Sequence, residues 1–215
     1  TYGSEKVWVD YDAVYHCESA NPVDSSGNSN DLSVGTATLA SGAIGDEVSS
    51  NPVQTSGAPS ISISAGATVQ VITNRTNSNN RFINELSVTS RFALLYWGGV
   101  YQWWNGSFSG GSSVAAGSSA FMHVTTNSST TDYYLNGSLE SSTSSSLSEL
   151  SGVSKITLNG TEDGFLSADA INDEFRISTL YISSDKVSSE HANYLTPSTF
   201  WTTGTPTSPG SSGIS

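Results

Sequence analysis

The chain breaks into short runs of β-branched and aromatic residues, none with the 3.6-residue apolar stripe of a long amphipathic helix, and this segmentation limits its folds more than any other feature. The runs are Val7 to His16, Pro59 to Ser64, Ala67 to Thr73, Arg81 to Ser90, Phe92 to Trp97, Val100 to Trp104, Ala120 to Thr126, Thr131 to Leu135, Val153 to Leu158 and Glu174 to Ile182. Clusters of Gly, Asn and Ser of the kind that make turns separate them. Many short strands with regular turn signals predict an all-β sandwich or barrel. The clearest hairpin is TDYYLNGSL, Thr131 to Leu139, where Asn136 and Gly137 both tolerate the positive φ of a type I′ turn. One short helix is predicted from Asp185 to Asn193, with Ser184 as N-cap and Val187, His191 and Tyr194 spaced to cover one face. The Ser-rich segment Leu139 to Ser151 reads as a loop or a polar edge strand.

Composition sets the partners aside rather than the fold. Charged residues are only 12% of the 215, and 44 Ser with 22 Thr fill the deficit, so hydroxyls solvate this surface. The 19 acidic residues outnumber the 7 basic ones, and a net charge of −12 opposes nucleic acid phosphates and anionic membranes. No stretch approaches the roughly 20 apolar residues of a membrane span, so membrane insertion is not expected. Five Trp, nine Tyr and seven Phe supply a core that argues against disorder. Cys17 is the single cysteine, which excludes an intrachain disulfide, and it reads as a buried structural residue. The expected organisation is one domain over residues 1–204 and a Pro/Gly/Ser/Thr linker or tail over 205–215, with further domains adjacent in the native chain.

Three blocks carry a resemblance. Val7 to Leu32 holds an opening strand and an Asp-Ser-x-Gly-Asn-x-Asn turn at Asp24 to Asn30; Phe121 to Ser141 holds a His-Val strand and the Asn-Gly hairpin; Gly164 to Gly204 holds Asp173-Glu174-Phe175-Arg176-Ile177, a short helix and a Pro-Ser-x-Phe ending. Together they resemble the laminin G-like domains of the concanavalin A-like lectin/glucanase superfamily, in the form found in bacterial and phage surface proteins. The resemblance implies a two-sheet antiparallel jelly-roll sandwich with one short helix near the C-terminus, located outside the cell, on a cell surface or on a phage virion. It also implies a structural calcium ion on Asp173 together with backbone carbonyls in the neighbourhood of Glu18. Calcium takes six to eight oxygens. The residues by themselves equally allow Asp173 to be a strand-end cap or a partner of Arg176, and Asp24, Asn28 and Asp31 read as an Asx-turn rather than a second ion loop.

Glucanases of that superfamily place two carboxylates on alternate positions of one strand, and no acidic-x-acidic-x-acidic pattern occurs here; Asp46-Glu47, Glu162-Asp163 and Asp173-Glu174 are adjacent pairs. A non-catalytic module that binds a glycan or cell-surface polysaccharide, or mediates adhesion, is therefore expected ahead of a ligand-free spacer or decoration domain and of a divergent glycoside hydrolase. The candidate ligand residues are Tyr101, Gln102, Trp103, Trp104 and Asn105, within the aromatic segment Tyr96 to Phe108. Sugars offer apolar faces that stack on rings and hydroxyls that bond amides. On a strand Gln102 and Trp104 share one face and Tyr101 and Trp103 the other, so at least one pair must be core. His123 reads as a structural histidine, and His191 as a solvent-facing one. The Asn-x-Ser/Thr sites at Asn74, Asn105, Asn127, Asn136 and Asn159 are expected by chance in so Ser- and Thr-rich a chain.

Overall fold

The computed structural model describes residues 10–35, 38–41, 46–49, 52–75, 82–87, 91–148, 150–161 and 170–195. The predicted 205–215 tail, the Pro-Ser-x-Phe ending and the first residues of the opening run lie outside them.

Among the described residues fifteen strands and one helix follow in order: β1 Ala13–Tyr15, β2 Leu32–Gly35, β3 Thr38–Ser41, β4 Asp46–Ser49, β5 Val53–Thr55, β6 Gly66–Arg75, β7 Phe82–Ser87, β8 Phe92–Trp97, β9 Val100–Trp104, β10 Phe108–Ser112, β11 Ser119–Asn127, β12 Thr130–Leu135, β13 Ser138–Ser144, β14 Lys155–Leu158, β15 Ala170–Ser178 and α1 Ser184–Leu195. They form two antiparallel sheets packed face to face. The first runs β13-β12-β11-β6-β15-β4-β3, with β1 added on β15; the second runs β10-β9-β8-β7-β14-β5-β2. This is the predicted all-β sandwich.

Alternation explains which residues meet between the sheets, because successive side chains on a strand point to opposite faces. From the first sheet Val69, Val71, Met122, Val124, Phe175 and Ile177 enter the core, and from the second Leu86, Phe92, Leu94, Tyr101, Trp103 and Ile156 meet them. One device breaks the alternation. At Asp173 the register of β15 on β6 slips, so that Asn172 opposes Thr73 while Glu174 opposes Ile72. This β-bulge lets Asn172 share the inner face with Phe175. There its amide exchanges hydrogen bonds with Asn84 of β7 at 3.1 Å each way and donates to Asn159 Oδ1 at 2.6 Å, a buried polar bridge between the sheets.

Several expectations change at the level of elements. Pro59 to Ser64 is not a strand: Ser60 N donates to Asn30 Oδ1 and Ile61 N to Pro59 O, so its backbone is spent locally, although Ile63 still reaches the core. The last strand starts at Ala170 and ends at Ser178, earlier at both ends than predicted. Leu139 to Ser151 contributes a polar edge strand, β13. The Asn136-Gly137 turn has φ of 51° and 76°, as a type I′ hairpin requires. In the helix Val187 N donates to Ser183 O, which makes Ser183 the capping residue in place of Ser184.

On the outer face of the first sheet, α1 is held by polar contacts as well as by Val187. Glu190 accepts hydrogen bonds from Tyr11 Oη (2.7 Å) and Gln70 Nε2 (2.9 Å), and His123 Nε2 lies at 3.2 Å. Burial alone would raise the Glu190 carboxyl, but these donors and the Arg176 charge bring its pKa down to about 2. Burial pushes the His123 imidazole below its usual range, against the opposing pull of the Glu190 carboxylate that faces its Nε2. His123 is thus structural, as expected. His191, expected to face solvent, is half-buried: it stacks on Phe121 at 5.7 Å between ring centroids and lies against Gly137 of the β12–β13 turn.

Candidate functional site

The hairpin formed by β8 and β9 decides which aromatic residues can meet a ligand. Its turn is Gly98-Gly99, with φ of 63° and 93°, and Trp97 pairs with Val100 across it. That register sets Leu95 opposite Gln102 and Ala93 opposite Trp104 on one face, and Leu94 opposite Trp103 and Tyr96 opposite Tyr101 on the other. The second face is the core. Trp103 is 1% exposed and Tyr101 0%, Trp103 packing on Phe92 at 5.6 Å and Tyr101 on Tyr96 at 5.0 Å. Tyr101 and Trp103 are therefore withdrawn as ligand residues, since neither ring reaches the surface.

The outer face carries the site. Ala93 and Leu95 form a low floor against which Trp97 and Trp104 pack, and Phe108 of β10, 50% exposed, meets Trp104 edge-on at 4.6 Å. With Glu85, Arg91 and Thr161 these residues line a groove of about 290 Å³. Ala93, with no side chain beyond Cβ, and the non-aromatic Leu95 leave the space, while three larger rings rise around it. At one end stand a carboxylate, a guanidinium and a hydroxyl, the combination of apolar wall and few polar groups that defines small-molecule sites.

Of the five predicted ligand residues, Trp104 alone lines this groove. Gln102 is on the same face but buried, its Nε2 donating to Trp97 O at 3.1 Å. Asn105 sits in the turn before β10, and its Nδ2 donates to Ser146 Oγ at 2.6 Å. Trp97, Phe108, Glu85 and Arg91 were not singled out by the sequence. The signal for Trp97 was present in Gly98-Gly99, a two-residue turn that fixes the pairing of its flanks; β10 has only FSGGS to announce it.

Asp173 is buried at the bulge and Glu18 is exposed after β1. Glu174, on β15, is engaged by Arg176, and by His16 at 3.5 Å. Among the described residues no group of three or more His, Cys, Asp or Glu comes together as a metal site. Asp24 is fully occupied as a turn organiser: its carboxylate accepts from Val14 N, Ser26 N, Ser26 Oγ and Asn30 N.

No family model matches the sequence, and no curated protein does. Solved structures do. The chain is similar to domain 4 of AbnA, an extracellular arabinanase of Geobacillus stearothermophilus solved with arabinotriose, with TM-score 0.65 and 15% identity over 84% of this chain and 97% of that one. It is similar to a botulinum neurotoxin type C structure, a protein described as interacting with two ganglioside molecules, with TM-score 0.66, 14% identity and 88% of this chain covered. The binding domain of Paraclostridial Mosquitocidal Protein 1 matches with TM-score 0.62 and 17% identity over 87% of this chain. The chain spans about half the length of these last two, 52% and 53%. At such identities the likeness shows the shared fold, and the fold is a β-sandwich.

Proposed function

We propose that this sandwich is a non-catalytic carbohydrate-binding module of a larger extracellular, cell-surface or virion protein, with its ligand in the groove of Trp97, Trp104 and Phe108. The exposed rings over the Ala93–Leu95 floor carry the reading, because a sugar ring offers such walls an apolar face and the polar end its hydroxyls. The fold neighbours support it: one was solved with arabinotriose and another is described with gangliosides. Among the described residues the groove presents one lining carboxylate, Glu85, whereas glycoside hydrolysis uses a facing pair. Laminin G-like kinship belongs to the same proposal and rests on the three sequence blocks.

A glycan array followed by titration of the retained sugars tests it. Binding that is lost in Trp104→Ala supports the groove; no binding at millimolar sugar leaves a spacer or decoration domain. Reducing-sugar release that vanishes in Glu85→Gln would instead make the chain a hydrolase.

Calcium at Asp173 and Glu18 is a separate proposal, carried by the resemblance. An ion at a hundred times its Kd adds about 2.7 kcal/mol to the native state. EDTA is then expected to lower the melting temperature by about 5–10 °C, and Asp173→Ala to abolish that response. A melting curve indifferent to both withdraws the ion.

A further inference from the structure

The groove is one end of a longer row. Cross-strand pairing aligns Phe108, Trp104, Ala93, Glu85, Thr157 and Gln54 over six neighbouring strands of the second sheet. Directly paired residues share a face, with Cβ atoms about 4.5–5.5 Å apart. From the polar end of the groove outward, the row sets the Glu85 carboxylate, the Thr157 hydroxyl and the Gln54 carboxamide on directly paired positions. Thr157 Oγ1 lies 3.4 Å from Gln54 Oε1. The amide carbon is one C=O bond, about 1.23 Å, from that oxygen. Thr157 is 0% exposed and Glu85 1%, so nucleophile and carboxylate stand out of bulk water.

We propose that Thr157 and Gln54 are the partners of an intramolecular ester that covalently joins β14 to β5. Glu85 takes the Thr157 hydroxyl proton as Oγ1 attacks Gln54 Cδ, and a tetrahedral intermediate forms. Its collapse breaks the Cδ–Nε2 bond, the amide nitrogen leaves with the proton from Glu85, and the products are the ester and one ammonia. Atoms and electrons balance with no oxidant, metal or second substrate. The link would close a loop between segments 103 residues apart, across a strand pair held by only two register positions.

Intact-mass measurement of the purified chain tests this directly. The expected mass is lower than the sequence mass by one ammonia, and lower than that of a Thr157→Val or Glu85→Gln variant after correction for the substitution. Lys6, Arg75, Lys155 and Arg176 place Gln54 and Thr157 on separate tryptic peptides, which are expected to run joined. A chain at its full sequence mass overturns the proposal and leaves a cross-strand hydrogen bond. An ammonia deficit with the two peptides separate also overturns it, because Asn-Gly cyclisation at Asn136, Asn159 or Asn105 loses the same mass. A joined peptide that persists in Glu85→Gln removes Glu85 from the reaction.

Discussion

Replacing Trp104 by Ala removes a half-buried ring from the groove while leaving the inter-sheet core intact, and replacing Trp103 does the reverse. Trp104→Ala is therefore expected to weaken sugar binding at least roughly tenfold, about 1.4 kcal/mol, with little change in melting temperature. Trp103→Ala is expected to cost about 3–5 kcal/mol of stability. Denaturant unfolding and calorimetric titration on the two variants check the pair; equal effects on both quantities would mean that the faces are not separated as described. Asn172 makes a further residue-scale case. Asn172→Ala leaves Asn84 with lost partners inside the sandwich, a cost of about 1–3 kcal/mol. In a double-mutant cycle with Asn84→Ala the two losses should add to less than their sum, since the second change removes groups already orphaned by the first.

At the scale of elements, α1 depends on Glu190 remaining ionised. Its folded pKa of about 2 lies below the ordinary carboxylate value of 4.5, so its contribution is present above pH 4.5 and lost as pH falls toward 2. A shift of this size corresponds to on the order of 2–3 kcal/mol. Melting curves of the wild type should drop across that window, and Glu190→Gln should show a lower plateau at neutral pH with a shallower fall in acid; identical acid limbs would place the sensitivity elsewhere. Much of the element pattern was legible from the residues. Long strands such as β6 and β11 alternate through enough positions to declare themselves, and α1 was found within a residue or two. β2, β3, β4 and β5 were not, because strands of three or four residues hold too few alternations to stand out from loop sequence. The site was legible by half. Segment Tyr96 to Phe108 drew attention through its rings, but strand alternation gives two faces without saying which is inward. That choice is made by β7, β14 and β10, whose pairing no local pattern in the segment contains.

For the whole molecule, the sandwich is closed along one flank. The outer strands β10 and β13 come alongside each other, Ser112 Oγ donating to Glu140, and Gly110 sits against the Tyr133 ring, where a Cβ would lie 2.5 Å from it. With φ of 95° at Gly110 as well, Gly110→Val is expected to open this seam and lower the melting temperature by several degrees, which calorimetry would read. An unchanged melting curve would mean that the flank bears no load. The opposite flank ends in β2 and β3, each with one strand neighbour. Among the described residues, an incoming strand from another chain meets a second sheet at β10 and β13 and a free margin at β2 and β3. Edge-to-edge polymerisation needs two free margins on every copy, one to give and one to receive. Here both margins, β2 of one sheet and β3 of the other, lie on the same flank, so partner strands are directed to that one side of the protomer.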